Sequence, residues 1–453
     1  MDRDNRELSE REANLRRFTE ALESGALNNV RLMLNGLHPA EIARLLESLP
    51  PERRELAWEL VSPEQEGDVL LHLGEDVRAG LIRKMEPHEL LAATAGLATD
   101  DLADFLQDLP SAIVAQVLYS MSTQDRHRVE AVLSYGEDTA GGLMNTDTVT
   151  VRPDVTLDVV LRYLRWRGNL PQTTDNLIVV KRDDIYLGLL SITDLLTREP
   201  GLTVGEVMTS EVEPIDALMP AQEVANLFEN RDLVSAPVVD GEGRLLGRIT
   251  IDDVVDVIRQ EAEHSLLSMA GMSEAEDLFA PVAVSSRRRA LWLGVNLGTA
   301  LLASWVIGLF DAAIEKVVAL AVLMPIVASM GGIAGSQTLT LVVRGMALGQ
   351  ISRDNAWHFL TKEFAVGLVN GLIWALIVGA IAALWFDNGE LAWIIALAMV
   401  INLITAAVVG TTIPLLLRRL GIDPALAGSV VLTTFTDVVG FMSFLGLASW
   451  AFL

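Results

Sequence analysis

Five long apolar runs occupy the carboxyl-terminal part of the sequence, after three consecutive arginines at positions 287–289. Each run reaches the roughly 20 residues that a helix needs to cross about 30 Å of hydrocarbon. A buried helix of a soluble protein is seldom that long and that apolar. The runs therefore predict five membrane-spanning helices, at residues 291–310, 317–343, 364–386, 391–417 and 426–450.

The charge of the chain is concentrated before these runs. Residues 1–286 hold 25 basic and 52 acidic side chains, a net charge of −27, whereas the remaining residues hold 9 and 8. Such an acidic surface repels nucleic acid and concentrates cations, so we expect cations as partners and no nucleic acid. The chain has no cysteine, which excludes disulfides, thiolate metal sites and cysteine nucleophiles.

The basic residues that flank the spans predict their orientation, because cytoplasmic loops retain Lys and Arg. If the arginines at 287–289 lie inside, so do most of the other flanking basic residues, and only Lys316 lies outside. The amino-terminal residues lack an apolar core of the signal-peptide type. We therefore expect a multi-pass protein of the inner (plasma) membrane, in contact with lipid, with its amino terminus in the cytoplasm and its carboxyl terminus outside.

The second predicted span contains Pro325 and a run of glycine and polar residues at 331–337. Proline and glycine weaken a membrane helix, and small residues let neighbouring backbones approach closely. We expect the helix to loosen here, which would leave free carbonyl groups facing a cavity.

The fifth predicted span carries a single charged residue, Asp437, about halfway along its length. A carboxylate at that depth is costly unless it faces water, a cation or a partner group. No Lys, Arg or His lies at comparable depth in the predicted spans. This favours a cation site at Asp437, and the alternative is a protonated Asp437 hydrogen-bonded to Thr433 or to a neighbouring helix.

Between residues 37 and about 135 the sequence repeats a pair of helices roughly every 25 residues, which predicts a stacked helical superhelix. Asp100, Asp101, Asp104 and Asp108 follow one another at helical spacing in this region, and three of them share a helix face. Such a run of charges is usually a solvated face, so from spacing alone a metal role is the less favoured interpretation.

A sharper repeat follows, since residues 178–196 align without a gap onto residues 237–255 at a constant offset of 59. Each copy has two β runs and then a Ser/Thr-x-x-Asp step into a helix, Ser191 with Asp194 and Thr250 with Asp253. This predicts two β-α-β-β-α units in tandem. Helix capping alone explains the Ser/Thr and Asp residues.

With these features together, the chain resembles the MgtE family of magnesium channels and transporters over essentially its full length. The resemblance depends on the order of its parts and on two motifs, PIVASMGGIAGSQT from Pro325 and TTFTDVVGF from Thr433. It implies a multidomain protein with an all-α superhelical N-terminal domain, an α/β tandem pair of cystathionine-β-synthase (CBS) domains and a five-helix α transmembrane domain. The implied boundaries are 1–137 for the N domain, 138–200 and 201–262 for the CBS domains, 263–286 for a connecting (plug) helix and 287–453 for the transmembrane domain. Where the family commonly has Asn after Gly-Gly, this chain has Ile333.

The resemblance implies a homodimeric, Mg²⁺-selective channel, with its pore on the two-fold axis, that cytoplasmic Mg²⁺ closes by bridging acidic faces. Two facing copies of Asp437 suit Mg²⁺, which keeps its waters and is usually bound through one or two carboxylates. The candidate pore residues are Asp437, Thr433, Thr436 and Gly332. The candidate regulatory ligands are Asp101, Asp104, Asp108, Asp252, Asp253, Asp256, Glu261 and Glu263.

Other CBS pairs often hold adenine nucleotides through the Ser/Thr and Asp of the last step. By that analogy Thr250 and Asp253 are the candidate ligands of ATP, because the glycine-rich turn of Gly241 and Gly243 precedes them.

Two other functions are open to such a chain. An ion-coupled secondary transporter of divalent cations such as Mn²⁺ or Co²⁺ needs further intramembrane titratable groups, and the predicted spans offer none beyond Asp437. A membrane-anchored enzyme needs a nucleophile–base or metal-ligand constellation, and the six scattered histidines provide none. A channel is therefore the favoured function, and we expect no enzymatic activity.

Overall fold

The computed structural model describes residues 15–94, 97–107, 109–171, 173–268, 270–272, 277–351 and 355–453. The chain divides into two compact units. The first comprises residues 1–261 with 275–280, and the second comprises residues 262–274 with 281–453.

The first unit begins with helices that stack in pairs. After a helical stretch at 15–23 and the helix Leu27–Asn35, the described residues between 37 and 135 form four helix pairs. Proline in the first turn starts several of them, where its missing N–H costs nothing. The pairs are Pro39–Glu47 with Pro51–Trp58, Glu66–Leu71 with Glu75–Ile82, Pro87–Ala93 with Thr99–Gln107, and Ser111–Ser120 with Thr123–Leu133.

The first helices of successive pairs contact one another, and their apolar faces bury a continuous core that includes Phe18, Ile42 and Phe105. Each pair therefore covers the apolar face of the next, as in a solenoid. The predicted helical superhelix is confirmed.

The rest of the first unit holds two three-stranded sheets with the same topology. In each, the first strand is parallel to the second and the second is antiparallel to the third. The sheets are β1 Thr150–Val151, β2 Asn176–Val180 and β3 Tyr186–Ser191, then β4 Ile215–Asp216, β5 Ser235–Val239 and β6 Leu245–Thr250. The helices between and beside these strands are Leu157–Arg167, Ile192–Thr197, Val204–Val207 and Ala221–Arg231.

The internal repeat is exact in the strands. The first and last residues of β5 and β6 each lie 59 positions after those of β2 and β3. Both third strands lead directly into a helix, Ile192–Thr197 in the first copy and Ile251–Ser268 in the second. The predicted tandem β-α-β-β-α repeat is confirmed. We call Ile251–Ser268 the connecting helix, although it shares only residues 263–268 with the predicted connecting (plug) helix at 263–286.

The second unit contains five helices that are long and apolar enough to cross a membrane. They are Val282–Gly308, Ala319–Ala347, Ala356–Phe386, Gly389–Arg419 and Pro424–Phe452, which we call the first to fifth spans, and a short helix, Asp311–Lys316, joins the first two. The fourth span packs against the second, third and fifth. The five predicted spans are confirmed, and each helix extends beyond at least one of its predicted ends.

The second span differs from its prediction, because it is one continuous helix through Pro325 and the glycine-rich segment. The expected loosening is wrong. The expected close approach of neighbouring helices is present, since a Cβ on Gly335 would lie 2.7 Å from a methyl group of Leu432 in the fifth span. Close packing by neighbouring helices lets a membrane helix tolerate glycine and proline.

Candidate functional site

Asn402 joins the two motif-bearing spans at the centre of the second unit. It lies on the fourth span, is 0% exposed, and donates a hydrogen bond from Nδ2 to the Val327 carbonyl of the second span over 2.8 Å. A Cβ on Gly331 would lie 2.3 Å from Asn402 Nδ2, and one on Gly440 would lie 2.8 Å from it. Asn402 therefore occupies a space that two glycines provide, and it sets the distance between the two motifs. No pattern in the sequence marks Asn402 as a functional residue.

Asp437 lies one helical turn before Gly440 and is partly exposed in the single chain. Its carboxylate has no hydrogen-bond or ion-pair partner within the described part of the chain. The Thr433 hydroxyl donates to the carbonyls of Ser429 and Val430. Neither hydrogen bond that the alternative interpretation offers, to Thr433 or to a neighbouring helix, is present among the described contacts of Asp437.

The other candidate pore residues differ in their surroundings. Gly332 faces open space, since no heavy atom of the described residues lies within 4 Å of a Cβ built on it. Thr436 is fully buried and donates to the carbonyl of Thr433 over 3.1 Å, so its hydroxyl is engaged within the span. Ile333, at the position where Asn is common, is 56% exposed in the single chain.

Glu363 is a buried carboxylate within the apolar helices, and the predicted third span excludes it because that prediction begins one residue later. The third span begins at Ala356 and includes it. Glu363 is only 3% exposed, and its Oε2 accepts a hydrogen bond from Thr338 of the second span over 3.2 Å. The expectation that Asp437 is the only acidic group in the spans is therefore wrong.

A second group of acidic residues lies in the first unit, on the helix Thr99–Gln107 and on the connecting helix. Ala103 of the former and Val254 of the latter belong to one buried apolar cluster. Carboxylates flank these two residues on both helices, and we call the group the acidic seam. It comprises Asp100, Asp101 and Asp104 on the first helix and Asp252, Asp253 and Asp256 on the connecting helix.

Burial and mutual repulsion make the acidic seam unfavourable for negative charge. Burial, followed by repulsion from Asp100, raises the pKa of Asp101 from its ordinary value of 3.8 to about 7. Burial, again followed by repulsion from Asp100, raises the pKa of Asp253 to about 8. Asp252 repels both, although it lies about 150 positions from Asp101 in the sequence. The structure therefore brings together acids from both predicted groups of regulatory ligands.

Other neighbours modify the seam. Asn145 donates from Nδ2 to Asp100 Oδ1 over 3.1 Å, and Asp256 pairs with Arg259 over 3.5 Å. Asp68, which the sequence analysis did not select, also repels Asp101. Among the described residues, no three acidic or histidine side chains converge closely enough to hold a bare metal ion.

Three candidate regulatory residues are not placed in the seam. Asp108 lies outside the described residues. Glu261 lies further along the connecting helix and is partly exposed, and Glu263 is exposed and belongs to the second unit. Their metal roles remain predictions.

The two candidate nucleotide ligands bond to each other. Asp253 Oδ2 accepts hydrogen bonds from the backbone N–H of Thr250 over 3.3 Å and from its hydroxyl over 3.1 Å. This is the arrangement that helix capping predicts. Thr250 is only 5% exposed, so a nucleotide would have to replace this contact or bind beside it.

Models of three families match the chain. A model described as a divalent cation transporter, MgtE, matches residues 324–447, and one described as the MgtE intracellular N domain matches residues 37–138. The CBS domain matches twice, at residues 140–201 and 204–260. These matches cover both motif-bearing spans and both groups of acids in the seam.

Individual proteins are similar over nearly the whole chain. The magnesium transporter MgtE of Thermus thermophilus is 32% identical over 95% of this chain and 96% of its own length. The protein of the same name from Bacillus subtilis is 27% identical over 94% and 95%. Among solved structures, the cytosolic domain of the Mg²⁺ channel MgtE in complex with ATP is 34% identical, covers 53% of this chain and 98% of that one, and superposes with a TM-score of 0.49.

Proposed function

This chain belongs to the MgtE family of divalent cation transporters and is not an enzyme, and from that premise we propose that it is a Mg²⁺-selective channel that cytoplasmic Mg²⁺ closes. The observation that carries the proposal is the acidic seam, in which carboxylates of two helices are held together although burial and repulsion disfavour their charge. A hydrated divalent cation between the helices removes that repulsion, and its absence restores it.

The pore is formed at Asp437. Its carboxylate lies within an apolar span, is partly exposed, and has no partner among the described residues. A single carboxylate is a weak site for Mg²⁺, which is usually bound through one or two carboxylates and retained waters. We therefore propose a homodimer in which two copies of Asp437 face each other across the axis, with Gly332 and Thr433 beside them. Thr436 does not face the ion, because it is buried and its hydroxyl donates to the Thr433 carbonyl of the same span.

Gating follows from a difference in affinity between two arrangements. Mg²⁺ closes the channel only if it binds the closed seam more tightly than the separated helices. The free energy by which it favours the closed arrangement equals the difference between the two binding free energies. Asp101 and Asp104 contribute from the N domain, and Asp252, Asp253 and Asp256 contribute from the connecting helix. In sequence this helix follows the strands of the second CBS domain and precedes the spans, and it is the proposed route to the pore.

The domain boundaries and the orientation predicted from the sequence complete the proposal. The soluble domains up to residue 286 lie in the cytoplasm, and the five spans place the carboxyl terminus outside. The two arginines that end the fourth span, Arg418 and Arg419, support this orientation because basic residues remain on the cytoplasmic side.

ATP binding at the CBS pair is part of the proposal, with Thr250 and Asp253 as ligands. The nearby carboxylates Asp100 and Asp252 repel a bare polyphosphate, so the nucleotide would bind as its Mg²⁺ complex. Equilibrium dialysis of the full-length protein with labelled ATP tests this, with Mg²⁺ present and absent. Binding only with Mg²⁺ supports the proposal, and no binding at millimolar ATP removes it.

Flux measurements test the pore. The full-length protein in liposomes is expected to pass Mg²⁺, while the Asp437→Ala variant assembles normally and passes none. Asp437→Asn should lose nearly as much flux, because charge and not shape serves the ion. Normal Mg²⁺ flux through folded Asp437→Ala would remove the pore assignment.

Substituting the ion tests selectivity. A channel selective for Mg²⁺ passes Mn²⁺ and Co²⁺ poorly, and its flux needs no counter-ion gradient. Flux that requires a proton or Na⁺ gradient would instead favour an ion-coupled secondary transporter of divalent cations.

A further inference from the structure

A cavity of about 180 Å³ lies among the second, third and fourth spans. Its apolar lining includes Leu403 and Ala407 of the fourth span. Its polar lining comprises five side chains, Gln337, Thr338, Lys362, Glu363 and Asn370. Polar groups within apolar helices are costly unless they face a partner or water, so this concentration indicates a binding function.

The carboxylate of Glu363 contacts two of the other polar lining residues. Its Oε2 accepts a hydrogen bond from Thr338 Oγ1 over 3.2 Å, and its Oε1 pairs with Lys362 Nζ over 3.0 Å. Glu363 and Thr338 are 3% and 6% exposed. Thr338 packs closely against the fourth span, because a Cβ on Gly410 would lie 3.1 Å from the Cβ of Thr338. Two oxygen ligands are therefore fixed in position.

We propose that Glu363 and Thr338 form a second divalent-cation site, with the amide oxygens of Gln337 and Asn370 completing it. Carboxylate, hydroxyl and amide oxygens are the ligands that hard cations prefer. A volume of 180 Å³ equals roughly six water molecules at about 30 Å³ each, which accommodates a cation with much of its water shell.

In this site the ammonium group of Lys362 competes with the cation for the carboxylate of Glu363. Its ammonium group pairs with Glu363, but its side chain is 59% exposed, whereas that of Glu363 is 4% exposed. A long lysine side chain can turn its charge toward water while its stem remains on the helix. A divalent cation brings twice the charge to Glu363 and displaces Lys362 to solvent, so the lysine lowers the affinity of the site.

The second site and the pore motif lie at different heights on the second span. The role of the second site rests on the proposed function. Thr338 follows Gly331 by seven residues, about 10 Å along a helix at 1.5 Å per residue. In the proposed orientation this direction leads to the cytoplasm. A cation that leaves Asp437 would then meet Glu363 before it reaches the cytoplasm.

Mn²⁺ binding to the full-length protein in detergent tests the site, with free Mn²⁺ measured by electron paramagnetic resonance. We expect Glu363→Gln to bind one Mn²⁺ fewer per chain than the wild type. Lys362→Met should keep the number of bound ions and bind one of them several-fold more tightly. Glu390→Gln, which neutralises an exposed carboxylate at the start of the fourth span, is the matched control and should change neither quantity.

An unchanged Mn²⁺ count in folded Glu363→Gln would overturn the inference. If Glu363→Gln does not fold, Lys362→Met decides the question, since unchanged affinity in that variant also overturns it. Mg²⁺ flux through Asp437→Asn, measured in parallel, tests the proposed pore independently of the Mn²⁺ count. Loss of flux there with an unchanged count in Glu363→Gln leaves the pore standing and removes only the second site.

Discussion

Asn402 of the fourth span donates a hydrogen bond to the backbone carbonyl of Val327 in the second span, over 2.8 Å. This contact sits one turn from Gly331, and the same side chain packs against Gly440 of the fifth span. One buried amide thus fixes the spacing of the two motifs beside Asp437. It also leaves its Oδ1 without a hydrogen-bond partner among the described residues.

Gly331→Ala is expected to destabilise the membrane helices by about 1–3 kcal/mol, the usual cost of overpacking a close contact. The added Cβ would lie 2.3 Å from Asn402 Nδ2, so the amide must move and its hydrogen bond is lost. Thermal unfolding in detergent measures the effect. The neighbouring variant Gly332→Ala is the control for stability, because a Cβ there meets open space. Equal losses of stability in the two variants would contradict the role of Asn402.

The acidic seam is expected to make the closed arrangement sensitive to pH when divalent cations are absent. The raised pKa values of Asp101 (about 7) and Asp253 (about 8) mean that the folded seam holds protons that the separated helices release. Its stability is therefore greatest at acidic pH and is lost as pH rises through 7 and 8. Limited proteolysis of the full-length protein should show protection at pH 6 and cleavage at pH 8.5.

Mg²⁺ should restore protection at pH 8.5, because the ion replaces the protons between the carboxylates. Asp101→Asn, which cannot ionise, should weaken the pH dependence in Mg²⁺-free buffer. Protection that is the same at both pH values without Mg²⁺ would show that the seam does not titrate in this range.

Asp277 is expected to stabilise the first unit strongly, although it lies just before the first span in sequence. Arg54 donates to both of its carboxylate oxygens, over 2.7 and 3.0 Å, and the two side chains are 6% and 9% exposed. Asp277→Ala leaves a buried guanidinium without its counter-charge, at a cost of about 3–5 kcal/mol. Chemical denaturation of the full-length protein, followed in the soluble unit, measures the loss.

The neighbouring pair of Arg53 and Glu23 provides a matched control. Its side chains are 43% and 53% exposed, so Glu23→Ala should cost at most about 1 kcal/mol. A loss in Asp277→Ala as small as that in Glu23→Ala would mean that the buried pair contributes no more than a surface pair.

Much of the fold could be predicted from the sequence because its signals are local or repeated. The offset of 59 located β5 and β6 from β2 and β3, and the apolar runs located the spans. Pro325 was misinterpreted because a local rule about proline takes no account of the helices packed around it. Glu363 was missed for a similar reason, since only its contact with Thr338 of another span shows that it is buried.

The acidic seam shows the same limit. Spacing identified Asp101 and Asp104 as one helix face, but it could not bring Asp252 beside them. That proximity depends on the buried apolar cluster that contains both Ala103 and Val254, which are about 150 positions apart in the sequence. The repulsion of Asp101 by Asp68 and of Asp253 by Asp100 likewise depends on packing between residues that are distant in sequence.

The most direct test of gating is the Mg²⁺ dependence of channel opening in excised patches whose cytoplasmic face is accessible. We expect Mg²⁺ at millimolar concentration to close the wild-type channel, whereas NaCl at matched ionic strength does not. Screening by NaCl acts over a Debye length of about 8 Å near physiological ionic strength and cannot bridge two carboxylates. Asp101→Asn with Asp252→Asn should shift the closing midpoint to higher Mg²⁺ while Asp437 still conducts. Closure by NaCl equal to that by Mg²⁺, or an unchanged midpoint in the double variant, would contradict a Mg²⁺-bridged seam.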